Sequence, residues 1–231
     1  MKKRIAALFL AVLVIALSVT TLSSCDREYN EDEVFSAAKT LIEKSKALNE
    51  IFFGYGVMYD EFAGGYSEGA DGIYMKAADY GPASLDEYGF TTVKELEEMT
   101  RNVYTKSYSD ELIGIKIGGV TIGGEILYQA RYVQVYGGKA LDVPEYILVN
   151  TEFEPVATDT VEYLYDTMRV DDVDGEKIYV ALDCKVTNYE GKSQTRNIRV
   201  CLLEERSGFR LDGPTYIKYS EIIDEYENLD K

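Results

Sequence analysis

Apolar and polar positions divide the chain into a helical first part and a strand-rich second part. Between about residues 31 and 53, apolar positions recur every three or four residues, which predicts one long amphipathic helix ending at Gly54. Its inward stripe comprises Val34, Ala37, Ala38, Leu41, Ser45, Leu48 and Phe52. Thr92, followed three residues later by Glu95, predicts a capped second helix that continues to about Tyr104. A short helical turn follows from Ser107.

From about Ile113 the apolar period changes towards two, which is typical of strands. The strands expected here, after a possible short one at Ile73–Ala77, are Ala130–Val135, Ala140–Val143, Thr160–Val170, Glu176–Thr187, Thr195–Glu204 and Gly208–Leu211. The turn pairs between them are Gly137-Gly138, Asp174-Gly175, Glu190-Gly191 and Ser207-Gly208. We expect residues 220–229 to form a short C-terminal helix.

This order predicts an α+β domain over residues 33–231, with N-terminal helices packed on a curved antiparallel sheet. The helical part covers about residues 33–112 and the sheet part about residues 113–216. The long first helix is expected on the concave face of the sheet.

The N-terminus has the pattern of an export signal. Lys2, Lys3 and Arg4 precede the uncharged apolar stretch Ile5–Val19. Leu22-Ser23-Ser24-Cys25 resembles the bacterial lipobox, which implies that a diacylglycerol group is attached to Cys25 and that residues 1–24 are removed. An ordinary cleaved signal and an uncleaved anchor helix remain the alternatives.

A lipid on Cys25 implies attachment to the extracytoplasmic face of the cell membrane, since two acyl chains suffice for stable anchoring. Residues 25–32 would form a charged tether. At roughly 3.3 Å per residue this tether spans only about 20 Å, so the domain would lie close to the membrane.

Charge restricts the classes of partner. The chain carries a net charge of −17, and removal of the three basic residues of the signal would leave 21 basic residues against 41 acidic ones, about −20. Such a domain repels nucleic acid and anionic lipid headgroups. Basic proteins, cations and neutral ligands are the better candidates.

Enzyme chemistry is restricted by the absence of histidine. This absence excludes Ser-His-Asp triads, Cys-His dyads and most zinc sites. Carboxylate pairs such as Asp110/Glu111 and Glu152/Glu154 are expected by chance among 41 acids. We therefore expect no catalytic residue, no cofactor and no metal ligand.

Two short motifs resemble ligand loops. Asp171–Gly175 resembles half of a calcium loop, but it lacks the later glutamate and is better interpreted as a hairpin turn. Gly118–Gly124 lacks the Lys-Ser/Thr of a P-loop and is interpreted as a flexible connection.

The two cysteines of the sheet part are predicted to remain unpaired. Cys184 shares a strand face with Val180 and Leu182, whereas Cys201 alternates with Val200 and points to the other face. Two sulfurs on opposite faces of a sheet are poorly placed for a disulfide, which remains the alternative because export would allow one to form.

The chain contains 20 tyrosines and no tryptophan. Those in strands (Tyr132, Tyr163, Tyr165 and Tyr179) are interpreted as strand and core material. Six others lie among glycines and acids in residues 54–90, at Tyr55, Tyr59, Tyr66, Tyr74, Tyr80 and Tyr88. These six form a possible partner-binding loop. The alternative, which we favour, is that they fix the loop to the domain.

Two segments carry a resemblance to exported NTF2-like or cystatin-like domains. Gly208-Phe209-Arg210-Leu211-Asp212-Gly213-Pro214-Thr215-Tyr216 resembles their closing "G-W-R-I-D-x-P-T-Y" strand, with Phe209 in place of tryptophan. Phe90–Leu96 followed by Val103–Tyr108 is similar to their "F-x-S-x-x-x-L…V-Y-S-x-x-Y" segment. The resemblance implies a cone-shaped fold.

The chain resembles, more weakly, the cell-wall DL-endopeptidase inhibitors, which bind and block wall hydrolases. We therefore expect a membrane-anchored, non-enzymatic binding module whose partner is a basic cell-wall hydrolase, which it would modulate, or another envelope protein. The alternative is a small-molecule or peptide binder that uses a pocket in the cone.

Overall fold

The structure is a computed structural model and describes residues 29–60, 68–69, 72–77, 88–118, 120–122, 125–127, 130–135 and 146–219. The signal and Cys25 therefore lie outside the described residues, as do Ala140–Val143 and the C-terminal helix expected at 220–229. Residues 32–231 form one compact unit. None of the described helices is both long enough and apolar enough to span a bilayer.

The long first helix is confirmed and runs over Glu31–Phe52 (α1). Its buried face contains Val34, Ala38, Leu41, Ile42, Ser45, Leu48, Asn49, Ile51 and Phe52. Most of the inward stripe expected from the sequence is therefore buried. Ser45 and Asn49 place two polar groups within this apolar face.

The second helix, Val93–Val103 (α2), begins with the expected capping box. The Thr92 side chain accepts a hydrogen bond from the Glu95 N–H, and the Glu95 carboxylate accepts one from the Thr92 N–H. The third helix, Lys106–Ile113 (α3), begins one residue before Ser107, with Thr105 as its cap.

The glycine-rich connection after α3 is more regular than expected. Gly114–Gly118 forms a π-helical turn, and two short strands, Val120–Ile122 (β3) and Glu125–Leu127 (β4), pair antiparallel. β3 lies inside Gly118–Gly124, the segment that we interpreted as a flexible connection, and β4 follows that segment directly.

The long meander is confirmed as a four-stranded antiparallel sheet. Its strands are Thr160–Asp174 (β7), Lys177–Thr187 (β8), Ser193–Glu205 (β9) and Gly208–Leu211 (β10), in the order β10-β9-β8-β7. Register shifts interrupt the β7–β8 pairing after Leu164 and after Val170. The pairing continues after these shifts, so β7 runs to Asp174, which lies opposite Lys177 and four residues beyond the expected end.

A second four-stranded sheet is built from parts of the chain that are distant in sequence. Glu68–Gly69 (β1), Gly72–Lys76 (β2), Tyr132–Val135 (β5) and Tyr146–Asn150 (β6) pair antiparallel in the order β1-β2-β6-β5. The short strand expected at Ile73–Ala77 is the central strand β2.

The α+β class is thus confirmed, with helices and antiparallel sheets. Where we expected a single sheet over residues 113–216, the described strands form two separate four-stranded sheets and a two-stranded ribbon. β6 pairs with β2, which belongs to the N-terminal half of the chain. Because the two strands are far apart in the sequence, no local sequence pattern indicates this pairing. The NTF2-like or cystatin-like cone stays a prediction.

Helix α1 packs against the long sheet near β7. Tyr163 and Tyr165 of β7 lie against it: Tyr165 OH donates to Glu43, and the Lys46 ammonium lies 5.3 Å from the centre of the Tyr163 ring. The apolar face of β8 is buried below, at Ile178, Val180, Leu182, Cys184 and Val186. The core therefore lies between α1 and this sheet.

Helices α1 and α2 also contact both sheets. At the C-terminal end of α2, the Thr105 N–H donates to the Leu211 carbonyl of β10 over 2.8 Å. At its N-terminal end, the Val93 N–H donates to Gln134 of β5 over 3.0 Å. The end of α1 is joined to β5 in the same way, through Tyr132.

Candidate functional site

The tyrosines of the predicted loop have different environments. Tyr55 and Tyr59 follow α1 and are 72% and 37% exposed. Tyr74 belongs to β2, and Tyr88 is half-buried. Tyr66 and Tyr80 lie outside the described residues. Tyr55 and Tyr59 thus belong to one short segment, Gly54–Tyr59, which we call the Tyr55 loop.

The backbone of the Tyr55 loop is held by side chains of β5 and the residue before it. Arg131 Nη2 donates to the Gly54 carbonyl over 2.7 Å. Tyr132 OH donates to the Ile51 carbonyl over 2.7 Å and accepts a hydrogen bond from the Val57 N–H over 3.3 Å. Both Arg131 and Tyr132 are buried.

Gly56 is required at this close contact. Its φ of +81° favours glycine, and a Cβ there would lie 2.3 Å from Arg131 Nη2 and 2.7 Å from Tyr132 OH. The loop backbone therefore lies directly on the two anchoring side chains.

The same loop exposes three large apolar side chains. Tyr55, Met58 and Tyr59 are exposed, whereas Val57 between them is buried. We had expected the loop tyrosines to fix the loop to the domain. In the Tyr55 loop, the side chains of Arg131 and Tyr132 hold the backbone instead. A rigid backbone that presents tyrosine and methionine suits adaptable protein contacts, because little entropy is lost on binding.

Beneath the loop lies a cationic cluster, which we define as Arg131, Lys116, Phe53 and Phe153. The Arg131 guanidinium and the Lys116 ammonium lie 4.2 Å and 4.3 Å from the centre of the Phe153 ring. Lys116 is also 5.3 Å from the Phe53 ring. Burial lowers the pKa of both cations, and the charge of Arg131 further lowers the pKa of Lys116.

A buried hydroxyl network fixes the segment after β10 to α1. Thr215 Oγ1 lies 2.6 Å from Ser45 Oγ and accepts a hydrogen bond from Asn49 over 2.8 Å, and the Thr215 carbonyl accepts one from Tyr163 OH over 2.7 Å. Burial raises the pKa of Tyr163 to about 12. These groups satisfy one another, which indicates a structural role.

A shallow cleft opens beside this network. It has a volume of about 210 Å³, and its lining includes Lys46, Asn49, Asp159, Tyr163 and Tyr216. A wider cleft of about 450 Å³ shares Asp159 and is bordered by Tyr189, Lys192 and Tyr219. Both clefts mix aromatic rings with charged groups.

Four of the acidic residues singled out in the sequence, Asp110, Asp171, Asp172 and Asp174, take part in ion pairs or in a turn. Arg199 pairs with Asp171 and Asp172 over 3.0 Å and 2.9 Å, and Asp110 pairs with Lys106 and Arg101. Asp174 pairs with Lys177 across a two-residue loop, which confirms the hairpin turn. Within the described residues, no group of three Cys, Asp or Glu side chains converges to hold a metal ion.

The assignment of the cysteines to opposite faces is confirmed by the strand register. Cys184 lies opposite Arg196, and Cys201 lies opposite Tyr179, so the sulfurs face different sides of the sheet and both thiols are free. Burial raises the pKa of the Cys184 thiol to about 11. A thiol in this state is a poor nucleophile.

Sequence reasoning did not identify Arg131 or Lys116. Between Lys106 and Lys139 they are the only basic residues, and both lie among apolar neighbours. That isolation was the available signal, but the sequence does not indicate that the two meet at one aromatic ring.

Comparison with known proteins gives no relative: no protein-family profile, curated protein or solved structure matches the chain.

Proposed function

We propose that this chain is a lipid-anchored extracytoplasmic protein that binds a protein partner through the Tyr55 loop and catalyses no reaction. The anchor rests on the sequence of residues 2–25. The observation that carries the binding role is the Tyr55 loop, whose backbone is held by buried Arg131 and Tyr132 while Tyr55 and Met58 are mostly exposed. Preorganised apolar side chains of this kind contribute strongly to protein interfaces.

The partner is proposed to be a basic envelope protein, with cell-wall hydrolases as the leading class. The charge of −17 attracts a basic surface over long range and repels most acidic ones. The Glu50 carboxylate, which accepts a hydrogen bond from the Tyr55 N–H, places one negative charge at the Tyr55 loop. The combination favours fast, salt-sensitive association with a basic protein.

The test is site-specific photo-crosslinking of the full-length protein in its own membrane. A photoreactive residue replaces Tyr55 in one variant and Tyr189, which is 88% exposed in the β8–β9 turn, in the matched control. We expect position 55 to capture one basic envelope protein and position 189 to capture none. Raised salt should weaken the capture.

Loss of the side chains gives the second arm. In a Tyr55→Ala/Met58→Ala variant, co-purification of the captured protein should fall at least about tenfold. Equal capture at positions 55 and 189, or an acidic captured protein, would contradict the proposal.

A small-molecule or peptide binder is the second candidate, supported by the cleft that includes Tyr163 and Tyr216. Its volume of about 210 Å³ is small for a ligand site, for which about 300 Å³ is the usual lower limit. A thermal-shift screen of neutral wall fragments separates the two candidates. A fragment that stabilises the wild type but not a Tyr216→Ala variant would favour the cleft.

A further inference from the structure

Arg131 is a buried cation with hydrogen-bonding capacity left over. Its side chain is 98% buried, and only Nη2 has a partner, the Gly54 carbonyl at 2.7 Å. Nε and Nη1 are buried and have no hydrogen-bond partner. Buried guanidinium groups are normally paired, because an unpaired buried charge strongly destabilises a fold.

Lys116 places a second positive charge beside the first. The Arg131 N–H donates to the Lys116 carbonyl over 2.7 Å, and both cationic groups lie on the Phe153 ring. The Lys116 ammonium, half-buried, has ring contacts with Phe53 and Phe153. Two like charges so close repel each other, and the charge of Arg131 lowers the Lys116 pKa.

Within the described part of the chain, no acidic side chain forms an ion pair with Lys116 or Arg131. The ion pairs found there involve other cations, among them Lys46, Lys94, Arg101, Lys106, Lys177, Lys192 and Arg199. Glu50 is near enough to raise the Arg131 pKa, yet its carboxylate accepts a hydrogen bond from the Tyr55 N–H over 2.9 Å.

We infer that the cationic cluster is a binding site for a carboxylate carried on a small apolar group. The carboxylate oxygens would accept hydrogen bonds from Arg131 Nε or Nη1 and from the Lys116 ammonium, and so supply the missing negative charge. The Phe53 and Phe153 rings would contact the apolar group. The centre of the Phe53 ring lies 4.5 Å from the centre of the Tyr216 ring, which extends this aromatic surface. The ligand would enter past Lys116 and Phe153, which are half-buried.

Two sources supply such a group, a free small carboxylic acid and the C-terminal residue of a peptide. Both share the recognition chemistry, and neither requires the protein partner proposed for the Tyr55 loop. The proposed carboxylate site and the proposed partner surface are therefore tested independently, and the failure of one does not contradict the other.

The test is calorimetric titration of the purified full-length protein with acetyl-Gly-Ala-Ala as its free acid and as its C-terminal amide. We expect the free acid to bind and the amide to bind at least about tenfold more weakly. Acetate is the arm for a free small acid: acetate binding as tight as the peptide assigns the site to small acids. Inorganic phosphate binding more tightly than either carboxylate would overturn the ligand class.

Variants at Lys116 connect binding to the cluster. Lys116→Met should lower the affinity for the free acid at least about tenfold, and Lys116→Arg should retain it. Lys185→Met removes an exposed lysine of β8 and is the matched control, with unchanged affinity expected. Equal binding of acid and amide, no binding of either carboxylate, or wild-type affinity in Lys116→Met would overturn the inference.

A second readout guards against variants that fold poorly. Free acid at saturating concentration should raise the wild-type melting temperature, because it binds the folded state. The same ligand should leave the melting temperature of Lys116→Met unchanged while it still raises that of Lys185→Met. A rise of equal size in all three proteins would also overturn the site.

Discussion

At the residue scale, Tyr132 connects a buried side chain to the backbone of the Tyr55 loop. Its ring is fully buried in β5, while its hydroxyl bonds the Ile51 carbonyl and the Val57 N–H. One atom therefore serves the end of α1 and the middle of the Tyr55 loop. The sequence indicated that Tyr132 is strand and core material, and its burial confirms this.

Tyr132→Phe should destabilise the protein by about 1–3 kcal/mol, because the lost hydroxyl leaves the Ile51 carbonyl and the Val57 N–H without this partner. Urea unfolding measures the change. Tyr189→Phe, at an exposed turn, is the matched control and should stay within about 0.5 kcal/mol of the wild type. An unchanged midpoint in Tyr132→Phe would show that the loop does not depend on this hydroxyl.

At the scale of the elements, local sequence patterns predicted a helix start or a turn correctly where the contacts that stabilise it are local. The capping box of α2 is formed by Thr92 and Glu95, three residues apart. The turns of the long meander each place a glycine at positive φ, at Gly175, Gly191 and Gly208. Element boundaries shifted by a few residues, as in β7, whose pairing with β8 continues to the hairpin turn at Asp174 and Lys177.

Thr92→Ala should destabilise the protein by about 1 kcal/mol, since α2 loses its capping hydroxyl. Thr92→Ser retains that hydroxyl and serves as the control. Urea midpoints of the two variants should differ accordingly. Equal midpoints would mean that the cap contributes little to stability.

Gly175 and Gly114 form a matched pair for backbone conformation. A Cβ at either position would meet no atom within 4 Å, but Gly175 has a φ of +62° whereas Gly114 has a φ of −58°. Gly175→Ala should therefore destabilise by about 1–2 kcal/mol, and Gly114→Ala should stabilise by about 0.4–1 kcal/mol. Thermal unfolding distinguishes the two signs, and a shared sign would contradict the conformational explanation.

At the scale of the whole molecule, buried tyrosines join the two sheets to α1. The hydroxyl of Tyr132 in β5 donates a hydrogen bond to a backbone carbonyl of α1. The hydroxyl of Tyr163 in β7 donates one to the carbonyl of Thr215, whose side chain contacts α1. Burial raises the pKa of each to about 12. The fold therefore depends on keeping these phenols neutral.

This dependence predicts loss of stability at alkaline pH. Up to about pH 10 both phenols are protonated in the folded and unfolded states, and their contribution is complete. Between about pH 10 and about pH 12 the unfolded chain releases protons that the folded chain retains, so the free energy of unfolding falls. Urea midpoints measured from about pH 9 to about pH 12 should decrease.

Tyr132→Phe supplies the control for the alkaline effect. This variant lacks the buried phenol of Tyr132 and retains that of Tyr163. Its urea midpoint should therefore fall less steeply with pH than that of the wild type. Tyr189→Phe should follow the wild-type curve. Stability that stays constant through this pH range would contradict the role of the buried phenols.

The sequence by itself determined the helices α1, α2 and α3, the meander with its turns, and the opposite faces of Cys184 and Cys201. Each depends on residues that are neighbours in the chain or across a hairpin, so periodicity, caps and glycines carry the information. The export signal and Cys25 are likewise matters of the sequence alone, and lipid attachment stays a prediction.

Only the tertiary structure decided the second sheet and the candidate sites. β2 (Gly72–Lys76) pairs with β6 (Tyr146–Asn150), which lies far away in the chain. Lys116 meets Arg131 through a backbone hydrogen bond and a shared Phe153 ring. Such contacts depend on how non-local segments fold together, and hydrophobic patterning does not encode their partners. The Tyr55 loop illustrates both parts: the sequence singled out its tyrosines, and the fold decided which side chains anchor it and which are exposed.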